Sequence, residues 1–288
     1  MDNRRLILLL VFCFSLVMLW DAWQKYNQPK VAAQIAAVTT NANGSSVPVP
    51  SATQTTPANK TAVPALAPAP KATVGEVVSI KTDLFIADVS LQGGDLIGLE
   101  LNNYKESNDK KKDFSLFETR HQYAAQSGLI GEGLPNHKTK FTVSAGSREL
   151  APDAKTLQLR LEAPVVDGVK VFKVYTFTRG SYLIDVAYEI ENASQKEIAA
   201  HAYYQLQRDM VAPEGESMMV STYTGPAVYT DQDKFQKIDF KDIEKGKAKF
   251  NDKADNGWVA MVQHYFVSAW IPQEKQQREF YVRRLEGG

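Results

Sequence analysis

Strict alternation of apolar and polar residues between positions 156 and 192 constrains this chain more than any other feature. Leu157, Leu159 and Leu161 alternate with Gln158, Arg160 and Glu162. Val169, Val171, Lys173, Tyr175 and Phe177 share one face of a second run, whose other face carries Phe172, Val174 and Thr176. After the break Arg179-Gly180-Ser181, residues Tyr182, Ile184, Val186, Tyr188 and Ile190 lead back to Asn192-Ala193-Ser194. Successive side chains of a strand point to opposite faces, so a period of two marks a half-buried strand and a glycine-containing break marks a turn. Asp185 and Glu189 lie opposite the aromatic face of the last run, which predicts that this face is partly solvated.

Shorter runs repeat the pattern. Val77, Val78 and Ile80 precede Leu84, Ile86 and Val89; Gly93-Gly94-Asp95 turns the chain into Leu96, Ile97, Leu99 and Leu101. Trp258–Val262 and Phe266–Ile271 read as more buried strands, the second closed by Pro272. The stretch from Lys105 to Leu116, with Lys110-Lys111-Lys112 between Asp109 and Asp113, reads as a solvated loop. No long amphipathic helix interrupts the series. Residues 76–288 are therefore expected to form one all-β domain, an antiparallel sandwich.

The first 75 residues are different. Leu6 to Trp20 is a run of fifteen without charge, eleven of them Leu, Ile, Val or Phe. At about 0.3 to 0.6 kcal/mol each, those eleven favour membrane insertion by about 3 to 7 kcal/mol as an upper bound. A helix of this length spans about 22 Å, short of the ~30 Å hydrocarbon core. Arg4 and Arg5 can snorkel at one end, and Trp20 and Trp23 can sit at the other interface. Residues 1–26 are thus expected to be a transmembrane anchor, with Arg4, Arg5, Leu6, Trp20 and Trp23 as its defining residues. The positive-inside rule puts the N-terminus in the cytoplasm. The rival is a cleaved signal peptide, which needs small residues just after the apolar run. Here Asp21, Ala22, Trp23, Gln24, Lys25 and Tyr26 follow, and Val31-Ala32-Ala33 comes late. Cys13 sits inside the run behind Val11 and Phe12, a poor setting for lipid attachment. Residues 27–75 hold seven of the thirteen prolines and only three charges, Lys30, Lys60 and Lys71. Without a persistent apolar period they are expected to be a disordered Pro/Ala/Thr-rich linker.

Chemistry is sparse. Thirty-three basic residues balance 33 acidic ones, which argues against a nucleic-acid coat. A single cysteine excludes an intramolecular disulfide and disfavours a zinc site built on cysteines. His121, His137, His201 and His264 show neither HxH nor HExxH spacing. No P-loop, GxGxxG or GxSxG occurs, and Gly131-Glu132-Gly133 is a turn with no Lys-Ser/Thr after it. Carboxylates such as Glu118 or Asp185 could form a catalytic pair, but sequence spacing alone does not show that they meet. Lys245, Lys247 and Lys249 alternate and would make one strand face basic, a solvated edge that blocks strand pairing.

Several segments in order resemble the start of the Gram-negative YidC family of membrane-protein insertases and chaperones. They are Trp20-Asp21-Ala22-Trp23 after the anchor, Val78-Ser79-Ile80-Lys81-Thr82-Asp83, Gln92-Gly93-Gly94-Asp95 and Tyr123-Ala124-Ala125-Gln126-Ser127-Gly128-Leu129. The most specific is Gly257-Trp258-Val259-Ala260-Met261-Val262-Gln263-His264-Tyr265-Phe266, leading into Ala269-Trp270-Ile271-Pro272. The resemblance implies a periplasmic β-supersandwich similar in fold to galactose mutarotases, hung from one inner-membrane helix. In the family, five further helices hold a hydrophilic groove with a basic residue; no position here matches them. The resemblance therefore implies an N-terminal fragment with an incomplete β-domain. It also implies no enzymatic activity, no cofactor and no metal. The partners so implied are the lipid bilayer, the Sec translocon with its auxiliary proteins, and nascent inner-membrane proteins through the missing core, with no nucleic acid. The rival reading is a mutarotase-like sugar-binding or sugar-epimerising protein, for which His201 and His264 are the residues to check against a facing carboxylate.

Overall fold

The computed structural model describes Met18, residues 77–213, 222–273 and 275–285. All but Met18 lie in the second of two compact units, Met1–Gly44 and Ser45–Gly288, and it is this second unit that is described below. Apart from Met18, the expected anchor, with Arg4, Arg5, Leu6, Trp20 and Trp23, and the expected linker lie outside the described residues. Among the described residues no helix is long and apolar enough to cross a membrane.

The unit is built of antiparallel sheets. The first sheet has the order β1 (Val77–Lys81), β2 (Phe85–Ser90), β3 (Leu96–Lys105), β5 (Ala124–Ile130), β10 (His201–Gln207). Strand β4 (Asp113–Phe117) pairs with the C-terminal half of β3, while β5 meets β3 only at Leu96↔Ala125. The second sheet runs β6 (Thr142–Val143), β7 (Thr156–Glu162), β8 (Val169–Thr178), β9 (Ile184–Asn192). A third takes the order β12 (Lys234–Lys237), β11 (Thr224–Thr230), β14 (Trp258–Gln263), β15 (Phe266–Trp270). A two-residue pair, β13 (Lys253–Ala254) with β16 (Arg278–Glu279), stands apart. From residue 77 onward, the described residues hold one short α-helix, α1 (Phe240–Glu244), and one 3-10 turn at Thr119–His121.

The period of two seen in the sequence is the burial pattern of the second sheet. In β7, Leu157, Leu159 and Leu161 are buried while Gln158 is exposed. β8 is buried on both faces over its middle. Val171, Tyr175 and Phe177 enter the main core, and on the other side Arg160 lies over the Phe172 ring at 3.8 Å while pairing with Glu189. Facing them across the core are Ile80, Phe85, Ala87 and Val89 of the first sheet. A smaller core gathers Val228, Ile238 and Phe280. The third sheet joins the main core through Met261, Phe266 and Trp270, and the Trp270 indole N–H donates to the Gln205 carbonyl of β10 at 2.9 Å.

Turn chemistry fixes the register. Asp167 and Gly168 both have positive φ, 49° and 79°, and the surrounding Val166 and Val169 exchange two backbone hydrogen bonds. That is the left-handed two-residue hairpin whose twist matches its strands. Gly257 has φ of 95°, and a methyl group there would sit 2.0 Å from the Tyr229 carbonyl oxygen of β11. Only glycine lets β14 start this close to its neighbour. The Gly257→Ala variant is expected to lose about 1 to 3 kcal/mol from the strained φ alone, more with the clash, as read from its denaturation midpoint. An unchanged midpoint would show that this entry to β14 is not held as described.

Four expectations need correction. The stretch 105–116 is not a loop: β4 begins at Asp113, and its Lys105–Asp113 ion pair closes a hairpin with β3. Lys245, Lys247 and Lys249 lie on no strand, because Lys245 caps α1 and irregular chain follows. β15 is an edge strand with Val267 exposed rather than a buried one, and Ile271, just past its end, is exposed as well. Tyr182 belongs to the turn before β9, where it is exposed.

Candidate functional site

The residues singled out for chemistry are dispersed. His201 is exposed at the start of β10, opposite Ile130. His264 is at the β14–β15 turn with φ of 53°, its Nδ1 2.9 Å from Thr222 Oγ1. The two stand apart, His201 in the first sheet and His264 at a turn of the third, and among the described residues no carboxylate is bonded to either. Glu118 pairs with Arg120 beside the 3-10 turn, whereas Asp185 is exposed on β9. His121 Nδ1 lies 3.0 Å from Asp209 Oδ2, and the Asp209 backbone N–H donates to the His121 carbonyl at 2.9 Å, so this pair ties the end of β10 to the 3-10 turn. A shallow cleft beside it is lined by Glu106, Phe114, Glu118, His121, Tyr123 and Gln263. His137 is buried, its ring Nδ1 2.6 Å from the Tyr203 hydroxyl. Burial, with the positive charges of Lys138, Lys173 and Arg283, pushes its pKa down to about 4. Among the described residues no three His, Cys, Asp or Glu side chains are placed to hold a metal ion.

The interior holds a polar network that the sequence reading did not single out. Lys173 is fully buried in β8 on the same face as Val171, Tyr175 and Phe177. Its ammonium donates to the Gly93 carbonyl at 3.1 Å and the Ser127 carbonyl at 3.3 Å, and lies 3.7 Å from Asp95 Oδ1. Gly93 and Gly94, with φ of 77° and 61°, turn their carbonyls inward, and the Tyr175 hydroxyl donates to the Gly94 oxygen. Gln126 bridges outward, donating to Asp95 Oδ2 at 2.7 Å and accepting from Gln205 at 2.7 Å. Tyr188 and Ser127 join hydroxyls at 3.0 Å. Burial raises the Asp95 pKa to about 6 and lowers that of Lys173 to about 8, each opposed by attraction to the other. The network fastens the two sheets of the main core to each other. Its one sequence signal was a lysine in register with apolar neighbours at i±2.

On the outside, rings from three strands and the turn before β9 form a connected face. Phe114 of β4 stacks on Phe266 of β15 at 4.1 Å, and Phe266 meets Tyr104 of β3 edge-on at 5.2 Å. Tyr104 contacts Tyr182 at 6.3 Å, and Tyr182 stacks at 6.3 Å on Phe85, which is core. Tyr104 and Tyr182 remain 44% and 47% exposed, an unusual outlay of aromatic surface for rings so firmly seated.

Comparison with known proteins bears on the whole chain. Residues 77–288 match the family described as YidC periplasmic domain. Over the full chain, the sequence is 56% identical to a protein of Dechloromonas aromatica named "Membrane protein insertase YidC", covering 100% of this chain and 51% of that protein. Proteins of the same name from Aromatoleum aromaticum and Nitrosospira multiformis are 53% and 45% identical, each over 99% of this chain, and 52% and 53% of their own lengths are covered. The chain spans about half the length of the curated relatives it matches. By this coverage and identity the chain belongs to the YidC family, and its antiparallel β-unit is that family's periplasmic domain.

Proposed function

We propose that the chain is the N-terminal half of a membrane-protein insertase, a membrane anchor carrying an accessory periplasmic domain. The observation that carries this is end-to-end similarity, up to 56% identity, to relatives named as membrane protein insertases. The charge-free run Leu6–Trp20, with Arg4 and Arg5 before it and Trp20 and Trp23 at its end, supports an uncleaved inner-membrane helix with a cytoplasmic N-terminus. The paired sheets of the β-unit support a supersandwich of the galactose-mutarotase type. Insertion itself requires a partly hydrated path by which a nascent helix leaves water without exposing unsatisfied backbone to lipid. The chain spans about half the length of its insertase relatives, and we assign that step to the portion of them beyond the matched half. The role of this half is to hold a rigid platform beside the insertion site, where the Sec translocon and its auxiliary proteins can dock.

Two measurements test this reading. In spheroplasts of a Gram-negative cell, the chain should stay in the membrane after alkaline extraction, and added protease should digest its β-unit. Recovery in the soluble fraction would overturn the anchor. In liposomes, residues 1–288 alone should fail to insert a small single-span coat protein. Insertion at the rate of a full-length relative would overturn the accessory role.

A further inference from the structure

We propose that the aromatic face of Tyr104, Tyr182 and Phe266, together with the hairpin tip Lys110–Lys112, is a docking surface for the anionic headgroup layer of a lipid bilayer. The inference deepens the anchored-platform reading and rests on it for the nearness of a membrane. The β3–β4 hairpin carries both halves of the surface. Tyr104 is the penultimate residue of β3, Phe114 the second of β4, and the intervening turn holds the three lysines, all exposed.

The acidic groups of the hairpin are engaged locally. Asp113 pairs with Lys105, Glu106 accepts the Ser115 backbone N–H at 3.1 Å, and Asp109 accepts the Lys111 backbone N–H at 3.0 Å. Among the described residues, Lys110, Lys111 and Lys112 form no ion pair. Three ammonium groups on long stems therefore stand at the tip, and the hairpin keeps one basic charge in excess. At the base, Tyr104 and Tyr182 each offer a ring with a polar edge, seated on Phe266 and Phe85 so that docking freezes little further motion. Leu183, beside Tyr182, is 58% exposed.

This mixture favours lipid over protein as the occupant. Lysine is depleted from the cores of protein interfaces. Tyrosine rings at headgroup depth, beside lysines reaching to phosphate, are the usual pairing at a membrane surface. Three lysines near an anionic leaflet strengthen docking by about 100-fold.

The test uses the full chain with Cys13→Ser, an environment-sensitive fluorophore on Asn108→Cys in the hairpin tip, and a control label on Lys245→Cys beside α1. The protein is mixed with, or reconstituted into, vesicles of phosphatidylcholine alone or phosphatidylcholine with phosphatidylglycerol. The label at 108 should become apolar and lipid-quenchable only with phosphatidylglycerol, and the label at 245 should not. About 0.5 M salt should reverse the change. Replacing Lys110, Lys111 and Lys112 by Gln should weaken docking by about 100-fold, with the denaturation midpoint unmoved. A response equal in both vesicle types, a response to protein concentration without vesicles (a second copy), or an unaffected triple variant would overturn the proposal. Flotation reports the anchor separately. A chain that floats with both lipids while its label stays aqueous refutes the docking surface alone. A chain that floats only with phosphatidylglycerol refutes the anchor alone.

Discussion

Lys173→Met is expected to lower the unfolding free energy of the β-unit by about 3 to 5 kcal/mol, measured by chemical denaturation in mild detergent. The variant leaves Asp95 buried without its counter-charge, and the Gly93 and Ser127 carbonyls with one donor fewer. Adding Asp95→Asn should restore part of the loss, because the orphaned charge is then gone and an amide can still meet Gln126. The carbonyls hold back about 1 to 3 kcal/mol of that recovery. A double variant as unstable as Lys173→Met would show that the lysine acts only as a donor to backbone and that charge pairing contributes nothing. The pH dependence has a definite sign. Asp95 titrates near 6 when folded against 3.8 ordinarily, so the folded state holds its proton more tightly and stability falls as pH rises through that interval. Lys173 titrates near 8 against 10.5, so the unfolded state holds that proton more tightly and stability rises from about 8 upward. Wild type measured against the double variant should therefore fare worst between about pH 6 and 8, where both charges are present in the interior. A pair kept despite that cost serves to fix how two sheets meet, since only one register brings Lys173 to the Gly93-Gly94 turn.

The parts of this fold legible in the sequence were those whose two faces see different solvents. β7 and β9 each carry polar residues outward and apolar ones inward, so their alternation survives in the amino-acid order. β5 does not: all seven of its residues are buried, and its polar Gln126 and Ser127 are satisfied inside by Asp95, Gln205 and Tyr188. A strand buried on both faces gives no period to read. β4 was hidden by Lys110-Lys111-Lys112, whose charge marks a turn between strands as readily as an open loop. Asp167-Gly168 was a readable hairpin signal that the larger alternation around it obscured. The buried lysine was written in plain view in the face Val171, Lys173, Tyr175, Phe177, but charge is so rarely fully buried that its register alone does not announce it. The docking face was less legible still, because Tyr104, Tyr182 and Phe266 come from three separate stretches of chain and only tertiary structure brings their rings together.

Phe177→Ala is expected to cost about 3 to 5 kcal/mol, measured in the same way. Phe177 is fully buried near the end of β8, between Leu157 of β7 and Ile184 of β9 in register. Its ring meets Tyr175 at 6.3 Å on its own strand and Phe85 at 6.1 Å across the core. Removing it leaves a void that two paired sheets cannot close without shifting strands, so the cavity cost adds to the lost transfer energy. Phe177→Leu keeps most of the volume and should cost about 1.5 kcal/mol or less, while Val267→Ala on the exposed side of β15 should stay within about 0.5 kcal/mol. The ordering of the three separates a shared core from a surface effect. Equal small losses would mean that the first two sheets do not pack through Phe85 and Phe177. The consequence reaches the surface as well: Phe85 is the ring on which Tyr182 stacks, so a loosened Phe85 should free Tyr182 and weaken the response of the hairpin-tip label to anionic vesicles. A variant that lost stability yet kept that response unchanged would show that the aromatic face holds its shape without the core beneath it.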